Sequence, residues 1–175
     1  MKKFLLFIIL FCFTGMAALS YQFPRWKFFP LKVYIEPHNK ALIVKNAFEN
    51  WTTSTNNMTK FMYVNTTAKH PNIIVKFSEV NNNPNEGFEN AIGVTHSFTP
   101  YGFFATANVT IYLTHPGGKT YLNDDELYAV SLHEIGHALG LKHSNLPEDI
   151  MFPVMHGQRS LTANDIKRMY LIYKH

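Results

Sequence analysis

His133-Glu134-Ile135-Gly136-His137-Ala138-Leu139-Gly140-Leu141-Lys142-His143 is the stretch that decides both fold and chemistry. His133 and His137 are four positions apart, so a helix through them brings both imidazoles to one face, about one turn apart. Two imidazoles at that separation can bind one Zn²⁺ from the same side. Glu134 sits between them, where its carboxylate can reach a water at the metal rather than the metal itself. Gly140 permits a positive φ, which ends the helix and turns the chain back. That turn can present His143 as a third ligand. Three protein ligands leave a fourth position open, the arrangement of a catalytic zinc rather than a structural one. The bland alternative is a helix with surface histidines. A bare H-E-x-x-H arises by chance, but the added glycine and third histidine at fixed spacing make coincidence much rarer.

These residues resemble the metzincin zinc metalloproteases, whose signature is HExxHxxGxxH followed by a methionine turn. Asp149-Ile150-Met151-Phe152-Pro153 is similar to that turn. Ser144, directly after the third histidine, is similar to the matrixin (peptidase M10) branch. Leu161-Thr162-Ala163-Asn164-Asp165-Ile166 resembles the start of the matrixin C-terminal helix. Lys32-Val33-Tyr34-Ile35 and Ala47-Phe48-Glu49-Asn50-Trp51 look like the matrixin first strand and first helix. The resemblance implies peptide-bond hydrolysis with one catalytic zinc on His133, His137 and His143, and Glu134 as general base. It places Met151 beneath the metal site. Methionine fills irregular space well, so packing is its expected physical role, without contact to the metal.

The resemblance also implies a substrate held as an added β-strand along an antiparallel edge strand. Gly93, Val94, Thr95 and His96, continuing to Phe98, match that strand best; a plain sheet strand is the equally open alternative. Phe152, Pro153 and Val154, continuing to Arg159, are implied to line the pocket for the side chain after the scissile bond.

Strands are expected at 32–35, 73–77, 92–98 and 109–113, which are rich in β-branched and aromatic residues. Three helices are expected. The first spans about 41–53, with Val44, Ala47, Phe48 and Trp51 forming an apolar stripe. The second starts at Asn123 or Asp124, with acidic residues at the positive end of its dipole, and runs to about Leu141. The third follows Thr162, whose T-x-x-D spacing to Asp165 is a capping-box variant. The fold class is α+β. The matrixin resemblance would make the sheet twisted and mixed, mostly parallel with one antiparallel edge strand. Segments 81–87 and 115–119 are polar and rich in turn formers and read as loops.

At 175 residues the chain is long enough for one sizeable core. Lys2 and Lys3, the apolar run from Phe4 to Phe13 and the small residues Gly15, Ala17, Ala18 and Ser20 form a secretory signal pattern. The expected organisation is a signal peptide over 1–20 and a catalytic domain over 21–175, secreted, with membrane attachment only if the signal stays uncleaved. Cys12, the single cysteine, lies in that signal, so the mature fold would hold no disulfide. Formal charge is +4 and falls to +2 without Lys2 and Lys3. The basic residues are scattered, which argues against a nucleic-acid partner. Asn50, Asn57, Asn65 and Asn108 each begin an N-x-T triplet, either glycan acceptors or a chance product of composition.

Animal matrixins hold a second, structural zinc through histidines and an aspartate, with calcium nearby. Here only His96 stands in a comparable place, Asn108 occupies a position where another histidine would fit, and no aspartate precedes Asp124. Calcium needs several oxygen ligands. One zinc is therefore expected, with neither calcium nor a second structural zinc. His38, His70, His115, His156 and His175 are expected to be solvent-exposed. The segment between signal and first strand contains neither Cys nor Asp to block a metal, although Arg25-Trp26-Lys27 could cover the cleft sterically. The expected partner is a protein or peptide substrate, and the expected state a monomer. Two alternatives stay open: a catalytically silent secreted zinc-binding interaction protein, and a metal-dependent amidase on non-protein (cell-wall) peptide.

Overall fold

In the strands over 31–35, 73–78 and 106–112 the residues buried on one side alternate with residues outside the core, the pattern of a sheet covered by helices on one face. The computed structural model describes residues 24–81, 90–155 and 157–174. The expected signal peptide, most of the 81–87 loop, His156 and His175 lie outside them. Five strands form one sheet: β1 (Leu31–Ile35), β2 (Phe61–Val64), β3 (Ile73–Ser78), β4 (Gly93–Phe98) and β5 (Thr106–Tyr112). Their order is β2-β1-β3-β5-β4. All pairings are parallel except that of β4 with β5. The mixed α+β sheet with one antiparallel edge strand is thus the one expected.

Helix α1 (Ala41–Ser54) buries Val44, Ala47, Phe48 and Trp51, the predicted stripe. Burying a side chain such as Phe48 is worth about 1.5–3 kcal/mol. The indole N–H of Trp51 donates to Leu132 O at 3.0 Å, tying α1 to α2 (Asp124–Ala138). Asn123 caps α2: its side chain accepts from the Glu126 N–H, and Glu126 accepts from the Asn123 N–H, both at 2.9 Å. Thr162 and Asp165 make the same reciprocal pair at the start of α3 (Ala163–Tyr173).

Three expectations need correction. A fifth strand, β2, was not anticipated: among the described residues its four residues pair with β1 alone, and they show no clean alternation of burial. Helix α2 ends at Ala138 rather than Leu141, because Gly140 (φ +105°) reverses the chain. Gly140 N–H then donates to His137 O and Leu141 N–H to Gly136 O, each at 2.9 Å, the paired closure of a Schellman motif. Finally, Arg25-Trp26-Lys27 does not lie across the cleft. Trp26 is buried in the core with its indole N–H on Ala138 O at 2.8 Å, and Arg25 donates to Ile172 O at 3.0 Å.

Among the other histidines, His38 and His70 are exposed as expected, with His38 stacked on Phe77. His115 is half-buried beside Glu126 at 3.4 Å, which departs from the expected free exposure. No helix among the described residues is long and apolar enough to cross a membrane.

Candidate active site

The second half of α2, the turn at Gly140 and the 149–155 segment enclose one side of a cleft of about 840 Å³, and β4 forms the other. Lining residues include His133, Glu134, His137 and His143 together with Gly93, Val94, Thr95, Phe152, Pro153 and Val154. His96 is not among them. Cross-strand pairing explains why. Gly93, Thr95 and Ser97 pair with Ile111, Val109 and Ala107, whose side chains are buried on the helix-covered face. His96 pairs with Asn108 and is on the opposite face.

The orientation of the helix imidazoles is set by backbone carbonyls. His133 Nδ1 lies 2.7 Å from Ile150 O, and His137 Nδ1 lies 2.8 Å from Leu141 O. A carbonyl oxygen only accepts, so each Nδ1 carries the ring proton and each Nε2 presents a bare lone pair. These two Nε2 atoms are 3.0 Å apart, and His143 Nε2 is 3.1 Å from that of His137. Two lone pairs do not hydrogen-bond to each other; their approach is favourable around a shared cation. Zinc–nitrogen bonds of about 2.0–2.1 Å in a tetrahedron place ligand nitrogens roughly 3.3 Å apart. The donor set therefore fits one zinc, and among the described residues it is the group of His, Cys, Asp and Glu that could share an ion.

Burial supports the neutral, ligating form of these rings. It pushes His133 down to about 3 and His137 down to about 4, with further lowering from neighbouring charge: His137 and His143 act on His133, His143 and Arg168 on His137. His143 is lowered too, by burial and by Arg168. Glu134 is only 5% exposed. Burial pushes its carboxyl up to about 7, against the opposing pull of a hydrogen bond from Thr95. A carboxyl tuned to that range is suited to both taking and giving a proton near neutral pH.

Met151 is fully buried under α2. A Cβ on Gly136 would stand 2.3 Å from Met151 Sδ and 3.2 Å from Trp51 Cζ2, so the absent side chain is what lets the methionine close up beneath the helix.

A profile of the matrixin (peptidase M10) family matches residues 22–174. The chain belongs to the matrixin family. It is 30% identical to matrix metalloproteinase-25 of Mus musculus over 132 residues, covering 74% of this chain and 21% of that protein. It is 29% identical to interstitial collagenase of Oryctolagus cuniculus over 160 residues, covering 86% and 33%. It is 29% identical to metalloendoproteinase 2-MMP of Arabidopsis thaliana over 124 residues, covering 58% and 29%. The chain thus spans about a third or less of the length of these curated relatives.

Several residues that hold this matrixin site together escaped the sequence reading. Asp149 is buried and accepts from the hydroxyls of Ser144 and Thr162 and from Asn164 Nδ2 at 2.6 Å. Burial works to raise its pKa, but these donors and the Arg168 charge prevail and hold it below the usual carboxylate value. Asp165 accepts from the Ile150 N–H at 2.9 Å, fixing the turn that carries Met151. Arg168 donates to the carbonyls of Lys142 at 2.7 Å and His143 at 3.0 Å, anchoring the loop that carries His143. Only the T-x-x-D signal pointed toward this group, and it pointed to a helix cap.

Proposed function

We propose that this chain is a secreted zinc-dependent endopeptidase, with His133, His137 and His143 as ligands of one catalytic zinc and Glu134 as general base. The observation that carries the reading is the pair of helix imidazoles whose Nδ1 protons are committed to backbone carbonyls, leaving Nε2 lone pairs convergent in the same cleft as a buried carboxylate. Zinc, when bound, supplies Lewis-acid polarisation of a carbonyl and makes water more acidic. Glu134 takes the proton of the attacking water at its carboxylate and delivers it to the departing amide nitrogen. Water is thereby added across the peptide C–N bond, which breaks to a carboxylate and an amine.

Among the described residues strand β4 pairs with β5 alone, which supports an extended peptide adding as a further strand along its other edge. Gly93 to His96 would form that edge, while Phe152, Pro153 and Val154 face the substrate from the opposite wall. Zinc is the one metal in the proposal, without calcium or a second structural zinc. Its support is the pairing of His96 with Asn108 rather than a second imidazole, and the lack of aspartate before Asp124. The organisation proposed is a signal peptide over 1–20 and a monomeric extracellular catalytic domain over 21–175, acting on protein or peptide. The basic and apolar pattern of the first twenty residues supports secretion.

Incubation of the purified domain with a peptide mixture, with and without a zinc chelator, tests the activity. Cleavage that stops on chelation and returns with zinc is expected; a zinc-loaded chain that cleaves nothing contradicts it. Metal analysis should return one zinc per chain, and two tightly held zincs would overturn that part.

A further inference from the structure

Glu134 is seated against the edge strand rather than standing free above the helix. Register places Gly93 and Thr95 of β4 on the face that meets α2, two residues apart along the strand. Thr95 Oγ1 lies 2.7 Å from Glu134 Oε2 and 3.0 Å from Glu134 O. The single proton of the hydroxyl is thus within reach of both a side-chain and a backbone oxygen of the same glutamate. At Gly93, a Cβ would stand 2.6 Å from Glu134 Cγ, 2.7 Å from Oε1 and 2.9 Å from Cδ. One carboxylate oxygen thus fills the space a side chain at Gly93 would take, while the Thr95 hydroxyl engages the other. The two residues restrict rotation of a side chain that has three rotatable bonds and that must present one oxygen to water.

We propose that Thr95 is a positioning residue for the general base, its hydroxyl fixing the Glu134 carboxylate in a seat that Gly93 leaves open. The proposal rests on the reading of Glu134 as general base. It assigns the inward face of β4 to the catalytic apparatus, and it leaves the strand's outer edge for peptide.

Thr95→Val keeps the branched shape and removes the hydroxyl; Thr95→Ser keeps the hydroxyl. Thr95→Val should lower kcat ten- to a hundredfold, on the order expected for a misplaced catalytic group, with KM, zinc content and melting temperature unchanged. Thr95→Ser should retain most of the wild-type kcat. Gly93→Ala should also lower kcat, because its methyl displaces the carboxylate. A second readout needs no turnover: in crystals of the metal-free variants, the Glu134 carboxylate should occupy one position in wild type and Thr95→Ser and leave it in Thr95→Val. A Thr95→Val enzyme with wild-type kcat, or Glu134 unmoved in its crystals, overturns the proposal. So does equal loss in Thr95→Ser and Thr95→Val, which would mark a packing role. Failure of the underlying reading is separately visible, as cleavage by Glu134→Gln at the wild-type rate.

Discussion

Two carboxylates of this domain, Asp149 and Glu134, are both buried, and they are held in opposite ways. Asp149 accepts from Ser144, Thr162 and Asn164 and lies near Arg168, so its charge is stabilised and its pKa lowered. Glu134 meets a single side-chain hydroxyl, that of Thr95, and burial raises it to about 7. The first carboxylate ties together the turn after His143, the methionine turn and the start of α3. The second is kept poorly solvated and therefore ready to bind a proton. Under the proposed function, stability is placed in one region and reactivity in the other, the division expected where activity depends on an under-solvated group.

The contrast can be tested from its strongest consequence downward. Glu134→Gln should reduce turnover by about 10²–10⁴-fold while zinc stays bound, measured by peptide cleavage alongside metal content. Unchanged turnover would remove the reactive half of the comparison. Asp149→Asn should cost about 2–4 kcal/mol in chemical denaturation, because it replaces a charged acceptor of three donors. If the cost is near zero, the network around Asp149 is not a structural anchor.

The two carboxylates should also give opposite pH signatures. In the metal-free chain Glu134 has a folded pKa above its ordinary 4.5, so the folded state holds a proton that the unfolded state has released. Its contribution is thus a cost that appears as pH rises from about 4.5 to about 7. Glu134→Gln should lift stability by up to about 3 kcal/mol above that window and by little below it. Asp149 is depressed below its ordinary 3.8, so its contribution is present above that pH and is lost as pH falls through the lower folded value. Denaturant unfolding across pH, wild type against each variant, separates the two. The smallest effect is expected at Gly136→Ala, where the new methyl meets Met151. Overpacking should cost about 1–3 kcal/mol, partly offset by the better helix propensity of alanine.

The three converging histidines were legible because the information is local. A spacing of four, a glycine and a third histidine within eleven residues fix a helix, its end and the return of the chain. Capping of α2 and α3 was legible for the same reason. Helix α1 was read from its apolar stripe, and the buried Val44, Ala47, Phe48 and Trp51 show why period alone suffices there. The parallel order of the sheet was implied by family resemblance, since no local signal in the strands carries it. β2 was missed because a four-residue edge strand lacks a burial period long enough to detect. Thr95 lies on the strand proposed to meet substrate, and its hydroxyl faces Glu134; which face it takes depends on pairing with Val109, and register is a property of two strands. From sequence Asp149 reads as part of a turn, while the donors that give it its role come from Ser144, Thr162 and Asn164 on separate segments.

The most direct test is zinc titration of the metal-free domain by calorimetry, wild type against His133→Ala, His137→Ala and His143→Ala. One tight equivalent in wild type, weakened by each substitution with the fold retained by circular dichroism, is the predicted result. A tight equivalent that survives loss of His137 would contradict the account, because the lone pairs converging in this cleft would not be what holds the metal.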